Sequence, residues 1–285
     1  MGQKKIVMDE PFQTSKEDNK WRVLQLDPKT IYPTTILSNA AWFYGENDPK
    51  KAAHSHNIGE VVAYFGSDWE HPEDLGGQVT IYMNGEKHVF TKSFMMYAPV
   101  GLPHCPYTID RVDRPLYHTA FPVGKTIKSD RYPDMIVSEN VSSNPKYDYC
   151  FVDEMKGRKT PVSEGEVPIL HLDSSFCEYA PELELTWFTK PGIQNAFGNE
   201  ELDRDRLYLF MGSDWENALD LKAEIELTVG GSTIVIDKPC YFFAPAGTKI
   251  GSMNITKLEQ PVMVNWISPD AEDPYYPLNT GKTEA

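Results

Sequence analysis

The sequence predicts an all-β protein made of two tandem units. Three observations predict it: short runs that alternate apolar and polar residues, a long internal repeat at one offset, and no long stretch of helical period with caps.

The alternation is clearest in Gln78–Phe90, QVTIYMNGEKHVF. Asn84-Gly85 stands between two strand-like halves, which is the signature of a two-residue hairpin. Glu224–Ile236, EIELTVGGSTIVI, repeats the pattern with Gly230-Gly231 at the turn. Aromatic residues make up 12% of the chain, and Val, Ile, Thr, Tyr and Phe recur in short runs, which favours strands. Two all-β units of domain size imply sandwiches or barrels.

The repeat rests on three anchors, each 146 residues from its copy. FGSDWE at Phe65–Glu70 returns as MGSDWE at Met211–Glu216. Ala98-Pro99-Val100-Gly101 returns as Ala244-Pro245-Ala246-Gly247, and Leu24-Gln25-Leu26-Asp27 as Leu170-His171-Leu172-Asp173. The expected boundaries are an N-terminal extension over 1–21, a first unit over 22–123, a polar connection over 124–165, a second unit over 166–270 and a C-terminal tail over 271–285.

Composition narrows the function. The formal net charge is −15. So acidic a surface repels phosphate backbones and anionic lipid, so neither nucleic acid nor membrane is an expected partner. An anionic substrate stays allowed, because a bound divalent cation can reverse the local sign. The four cysteines, Cys105, Cys150, Cys177 and Cys240, form no C-x-x-C pair, and the first residues lack an apolar leader. A reduced, cytoplasmic setting is the expectation.

The chemistry gathers in the first unit. His54-Ser55-His56 is followed by Glu60, and later by Pro99-x-Gly101-x-x-His104. Residues two apart on a strand share a face, so His54 and His56 aim the same way. A short Asn57-Ile58-Gly59 turn can return Glu60 beside them, and the turn at Pro99-Val100-Gly101 can bring His104 to the same place. Three imidazoles and a carboxylate make a mixed N/O shell suited to one divalent transition metal: Fe, Mn, Ni, Co, Cu or Zn. On an octahedral ion two positions stay open for chemistry.

These residues resemble the two signature motifs of the cupin superfamily, and His54, His56, Glu60, Pro99, Gly101 and His104 stand at matching spacing. The departures fall on turn and packing positions: Asp48 and Ser93 replace leading glycines, Gly66 comes one residue early, and Thr108 replaces a closing Asn. The resemblance covers both units and implies two tandem double-stranded β-helix (jelly-roll) barrels, a bicupin, with a metal inside the first. The second unit keeps the frame and lacks the ligands: the counterparts of His54, His56, Glu60 and His104 are Glu200, Leu202, Arg206 and Ile250. Glu200 and Arg206 should come within reach of each other as a buried pair, with Leu202 and Ile250 filling the remaining space.

Around the metal, Tyr64 shares a strand face with Glu60 and could donate to a bound ligand; packing in the barrel wall is the alternative. His118, whose counterpart is Val264, could serve as acid/base or as a donor behind the ligands. Cys105 should be turned away from the metal by strand alternation and lie buried and inert, and Met83, Met95 and Met96 should pack in the core. His71 and His88 fit polar turns or strand edges, and His171 a structural role. The resemblance implies a metal-dependent enzyme acting on a small enolic, phenolic or carboxylate-bearing molecule, with a dioxygenase preferred over a non-oxidative isomerase, lyase or decarboxylase. A non-catalytic small-molecule-binding cupin is the alternative from another class. The expected partner is a small-molecule substrate, and the expected assembly, if any, a homodimer.

Overall fold

The computed structural model describes residues 7–8, 14–26, 38–49, 51–124, 127–154, 164–194 and 200–270. The expected tail over 271–285 and most of the N-terminal extension lie outside the described residues. Among the described residues the chain is all-β, with a single 3-10 turn at Asp148–Cys150. No helix there is long and apolar enough to cross a membrane.

Each unit is a pair of antiparallel sheets folded against each other as a jelly roll. In the first, one sheet runs Phe151–Val152, Phe94–Ala98, Gly59–Gly66, Leu116–Val123, Ser38–Phe43, Lys20–Leu26, Ser15–Lys16. The facing sheet runs Ser129–Tyr132, Ala53–His56, His104–Val112, Asp74–Met83, Glu86–Lys92. The second unit repeats the order: Cys240–Ala244, Arg206–Gly212, Val262–Ser268, Glu182–Phe188, Glu166–Leu172 on one side, and Lys249–Leu258, Ala223–Val229, Ser232–Ile236 on the other.

The turns sit where the sequence placed them, for backbone reasons. Asn84 and Gly85 take φ of 46° and 79°, as a type I′ hairpin requires, and Gly230 and Gly231 take 57° and 82°. The GSDWE copies share their structural roles. A Cβ on Gly66 would collide with the Asp74 carbonyl oxygen, and one on Gly212 with that of Asp220. Asp68 accepts from the amides of Glu70 and His71, and Asp214 from those of Glu216 and Asn217. Ser93, at a position expected to be glycine, bridges the same loop: its hydroxyl donates to Pro72 O and accepts from the Gly66 amide.

Among the described residues, three apolar clusters form the core. One fills each barrel. The third lies between the barrels, where residues such as Trp42, Val61 and Tyr117 meet Leu183, Trp187 and Leu209. The tryptophans of the two GSDWE copies both reach across this interface: Trp69 packs edge-on against Trp187 at 6.4 Å, and Trp215 lies tilted against Tyr44 at 5.4 Å. Tyr241 donates to Ser38 Oγ at 2.8 Å within the same seam.

The segments expected to be extension and connection take part in the sheets. Val7–Met8 pairs with Cys240–Ala244 of the second unit. From the polar connection, Ser129–Tyr132 pairs with Ala53–His56 and Phe151–Val152 with Phe94–Ala98.

Candidate metal centre

His54, His56, Glu60 and His104 converge: one ligand atom from each lies within 4.8 Å of those of the others. Local backbone explains how. His54 and His104 are directly opposed on neighbouring strands. The Pro99 turn closes through a bond from the Leu102 amide to Pro99 O, and Gly101, at φ 76°, donates its amide to His56 O at 2.8 Å. With the pairing of His104 and His54, that bond ties the arm that carries His104 to the strand that carries His54 and His56. The three rings stand 4.6, 4.9 and 5.1 Å apart between centroids.

Electrostatics favour a cation at the meeting point. Burial pushes the Glu60 carboxyl up, but the hydrogen bonds from His104 and His56 outweigh it and hold it well below the usual carboxylate range. Glu60 Oε2 lies 2.9 Å from His104 Nε2 and 3.2 Å from His56 Nε2. Burial, with His104 beside it, lowers His54 to about 4, so its ring is neutral at physiological pH. His104 Nδ1 faces Leu102 O at 3.1 Å, while its Nε2 faces Glu60. Both partners only accept. A positive charge must therefore sit at the Nε2 side, as a proton or as a metal ion between the imidazole lone pairs and the carboxylate. The donor set fits a divalent transition metal.

Tyr64 and His118 do not join the cluster. They face each other across neighbouring strands, one layer deeper in the barrel, with rings 4.5 Å apart. Four residues of strand separate Tyr64 from Glu60, or roughly 13 Å between backbones. The Tyr64 side chain is fully buried, and its hydroxyl lies near Tyr107 without a well-formed hydrogen bond. Burial, then Tyr107 and Cys105, raise its phenol well above the ordinary value. His118 turns Nδ1 to Ala63 O at 3.2 Å. Burial, with Lys20 and Lys51 nearby, pushes it down to about 3.

Strand alternation fails at Cys105. Its φ of 69° and the register shift between His104 and Tyr107 form a bulge, and Cys105 packs into the barrel-interior cluster with Tyr64 and Tyr107, buried as expected and outside the ligand cluster. Burial and Glu60 push its thiol up to about 12, so it stays protonated. Met83 and Met96 pack in the first barrel and Met95 between the barrels. His88 lies on the edge strand Glu86–Lys92 but is buried there against Phe151, with Nε2 3.0 Å from Glu86, while His71 is exposed on Asp68. His171 is buried beside Asp173 and Glu184. A residue that pattern reading did not single out is Ser129, whose Oγ is 2.9 Å from His56 Nδ1.

The second unit keeps the scaffold in detail. Gly247, at φ 81°, donates to Leu202 O at 2.7 Å, as Gly101 does to His56 O, and Glu200 stands opposite Ile250 as His54 stands opposite His104. Leu202 and Ile250 are buried core. Arg206 pairs with Glu200, but only the guanidinium end is enclosed: the side chains are 12% and 43% exposed. The pair therefore sits at the barrel mouth rather than inside it, because Arg206 is drawn over the Trp266 ring at 4.3 Å and onto Ser268 Oγ at 3.0 Å, and Glu200 follows from the rim.

Two jelly-roll barrels in tandem, one carrying a His-His-Glu-His cluster, define a bicupin fold. Solved structures agree. A deletion mutant of Bacillus subtilis oxalate decarboxylase aligns over 90% of this chain and 75% of its own, at TM-score 0.58 and 11% identity. The same enzyme at pH 4.6 aligns over 90% and 74%, at 0.57 and 12%. The coconut allergen cocosin aligns over 91% and 84%, at 0.57 and 8%. No protein-family model matches the chain, and no curated protein matches it in sequence. An enzyme and an allergen share this architecture, so activity has to be argued from the site.

Proposed function

We propose that the chain is a metal-dependent bicupin enzyme acting on a small enolic, phenolic or carboxylate-bearing molecule, with dioxygenase chemistry preferred. The observation that carries this reading is the convergence of His54, His56, Glu60 and His104 around an anionic carboxylate. His54, His56, Glu60 and His104 would hold one divalent transition metal. When bound, it would supply Lewis-acid or redox chemistry at positions the protein leaves free.

The chain's own groups set the conditions around it. Glu60 offsets part of the metal's charge. Tyr64 and His118, buried a layer behind the cluster, stay neutral: the phenol can donate a hydrogen bond but not ionise, and the imidazole can accept but not arrive protonated. Met83, Met96 and Val62 keep the space behind the centre apolar. The second barrel, with leucine and isoleucine at the corresponding positions, is assigned a structural role.

The test is reconstitution with Fe²⁺, Mn²⁺, Co²⁺, Ni²⁺, Cu²⁺ or Zn²⁺, followed by O₂-uptake assays with enolic and phenolic substrates. The proposal expects uptake that depends on the metal and is lost in His104→Ala. Turnover without O₂ would replace the dioxygenase by a non-oxidative reaction. Metal binding with no turnover across the panel would favour a binding protein.

A further inference from the structure

The three imidazoles of the cluster are not held alike. His54 and His104 each turn Nδ1 to a main-chain carbonyl two residues back, Ala52 O at 3.2 Å and Leu102 O at 3.1 Å. A carbonyl only accepts, so Nδ1 carries the hydrogen in both rings. In both, these bonds are supplied by the segment that carries the histidine itself. His56 is different. Its Nδ1 meets a side chain, Ser129 Oγ at 2.9 Å, from a segment 73 residues away.

That segment is built to deliver the hydroxyl. Ser129–Tyr132 lies antiparallel to Ala53–His56 with Ser129 directly opposite His56, so both side chains leave the sheet on one face. The register is pinned at its end by Asn57, whose amide donates to Lys128 O at 3.1 Å and whose side chain accepts from the Lys128 amide. On the opposite face Ser55 Oγ and Tyr132 Oη are 3.1 Å apart. This second contact holds the same strand and touches no residue of the cluster.

We propose that Ser129 is a positioning residue for the metal centre: it accepts the Nδ1 hydrogen of His56 and so presents Nε2, as a lone pair, to the point on which His54, Glu60 and His104 converge. The assignment rests on the reading that the cluster holds a metal. Its consequence is that the polar stretch between the barrels forms part of the site. A ring free to rotate about its side-chain bonds, or to place its hydrogen on Nε2, binds a cation less well, and removing the outer partner of a metal-bound histidine costs roughly 10–100-fold in affinity.

The experiment is a competition titration of metal-free protein with Co²⁺ against a chromophoric chelator, with the Co²⁺ absorption bands as a second readout. Four proteins are compared: the unaltered chain, Ser129→Ala, Ser129→Thr and Ser55→Ala, each checked for an unchanged melting transition without metal. The expected result is Co²⁺ affinity about 10–100-fold lower in Ser129→Ala with altered bands. Affinity should be restored in Ser129→Thr, which keeps the hydroxyl, and be close to that of the unaltered chain in Ser55→Ala. Affinity of Ser129→Ala within about twofold of the unaltered chain would overturn the assignment, on the scale of an outer-partner effect. So would an equal loss in Ser55→Ala, since the strand's docking and not the hydroxyl would then matter. Failure of the unaltered chain to bind Co²⁺ would overturn the metal reading itself, and the assignment with it.

Discussion

Replacing Glu200 and Arg206 singly and together by alanine tests how the second barrel tolerates two charges where the first holds its cluster. The structure predicts an asymmetric result. Glu200 is 43% exposed, so its ion pair is screened by solvent, and its loss should cost under about 1 kcal/mol. Arg206 is 12% exposed and has other partners. Its guanidinium lies over Trp266 at 4.3 Å, worth about 1 kcal/mol, and its Nε donates to Ser268 Oγ at 3.0 Å, worth about 1 kcal/mol more. With the lost packing of the stem, Arg206→Ala should cost about 2–3 kcal/mol. The coupling energy between the two sites should be about 0.5 kcal/mol. Urea unfolding of the four proteins, with equal m-values, gives all three numbers. Equal single losses above about 3 kcal/mol with strong coupling would show a fully buried pair and refute the rim geometry. A cheap Arg206→Ala would refute the stacking.

Two further outcomes follow from the same geometry. His118 is held neutral in the folded state at a value of about 3, below its unfolded value, so protons bind the unfolded chain first as pH falls. Its contribution to stability is therefore lost between about pH 6.5 and 3, at about 1.4 kcal/mol per pH unit. His118→Phe, in metal-free protein, should flatten the dependence of urea midpoint on pH between 6 and 4; parallel curves would show that His118 does not titrate as described. Trp69→Ala and Trp215→Ala should each destabilise by about 2 kcal/mol, because both rings cross the seam between the barrels, yet leave bound metal unchanged; loss of metal in either would place the motif in the site.

Much of the site was legible because its geometry is local. Residues 54 and 56 share a strand face, the Asn57-Ile58 turn returns Glu60, and a glycine at a positive φ swings His104 back; each of these turns is written within a short window, although His104 meets His54 from 50 residues away. The hairpins at Asn84-Gly85 and Gly230-Gly231 were legible for the same reason. Ser129 was not. Ser129–Tyr132 is an edge strand whose residues are mostly exposed, so it carries no alternating apolar signal, and its partner lies over 70 residues away. The bulge at Cys105 was not legible either, because alternation assumes an unbroken ladder and a non-glycine residue at positive φ leaves no mark in composition. The Glu200–Arg206 pair formed as the matched backbone positions imply. Its exposure depended on Trp266 and Ser268, on a different strand that the position-by-position comparison did not weigh.

The cluster in the first barrel and its replacement by Glu200, Leu202, Arg206 and Ile250 in the second imply a metal in one barrel alone. Elemental analysis of the purified protein, alongside His104→Ala and a variant altered at both Glu200 and Arg206, measures this directly. The expected result is close to one transition-metal ion per chain, lost in His104→Ala with the β fold retained and unaffected by the changes at 200 and 206. Two ions per chain, with one lost when Glu200 and Arg206 are altered, or full occupancy in His104→Ala, would contradict it.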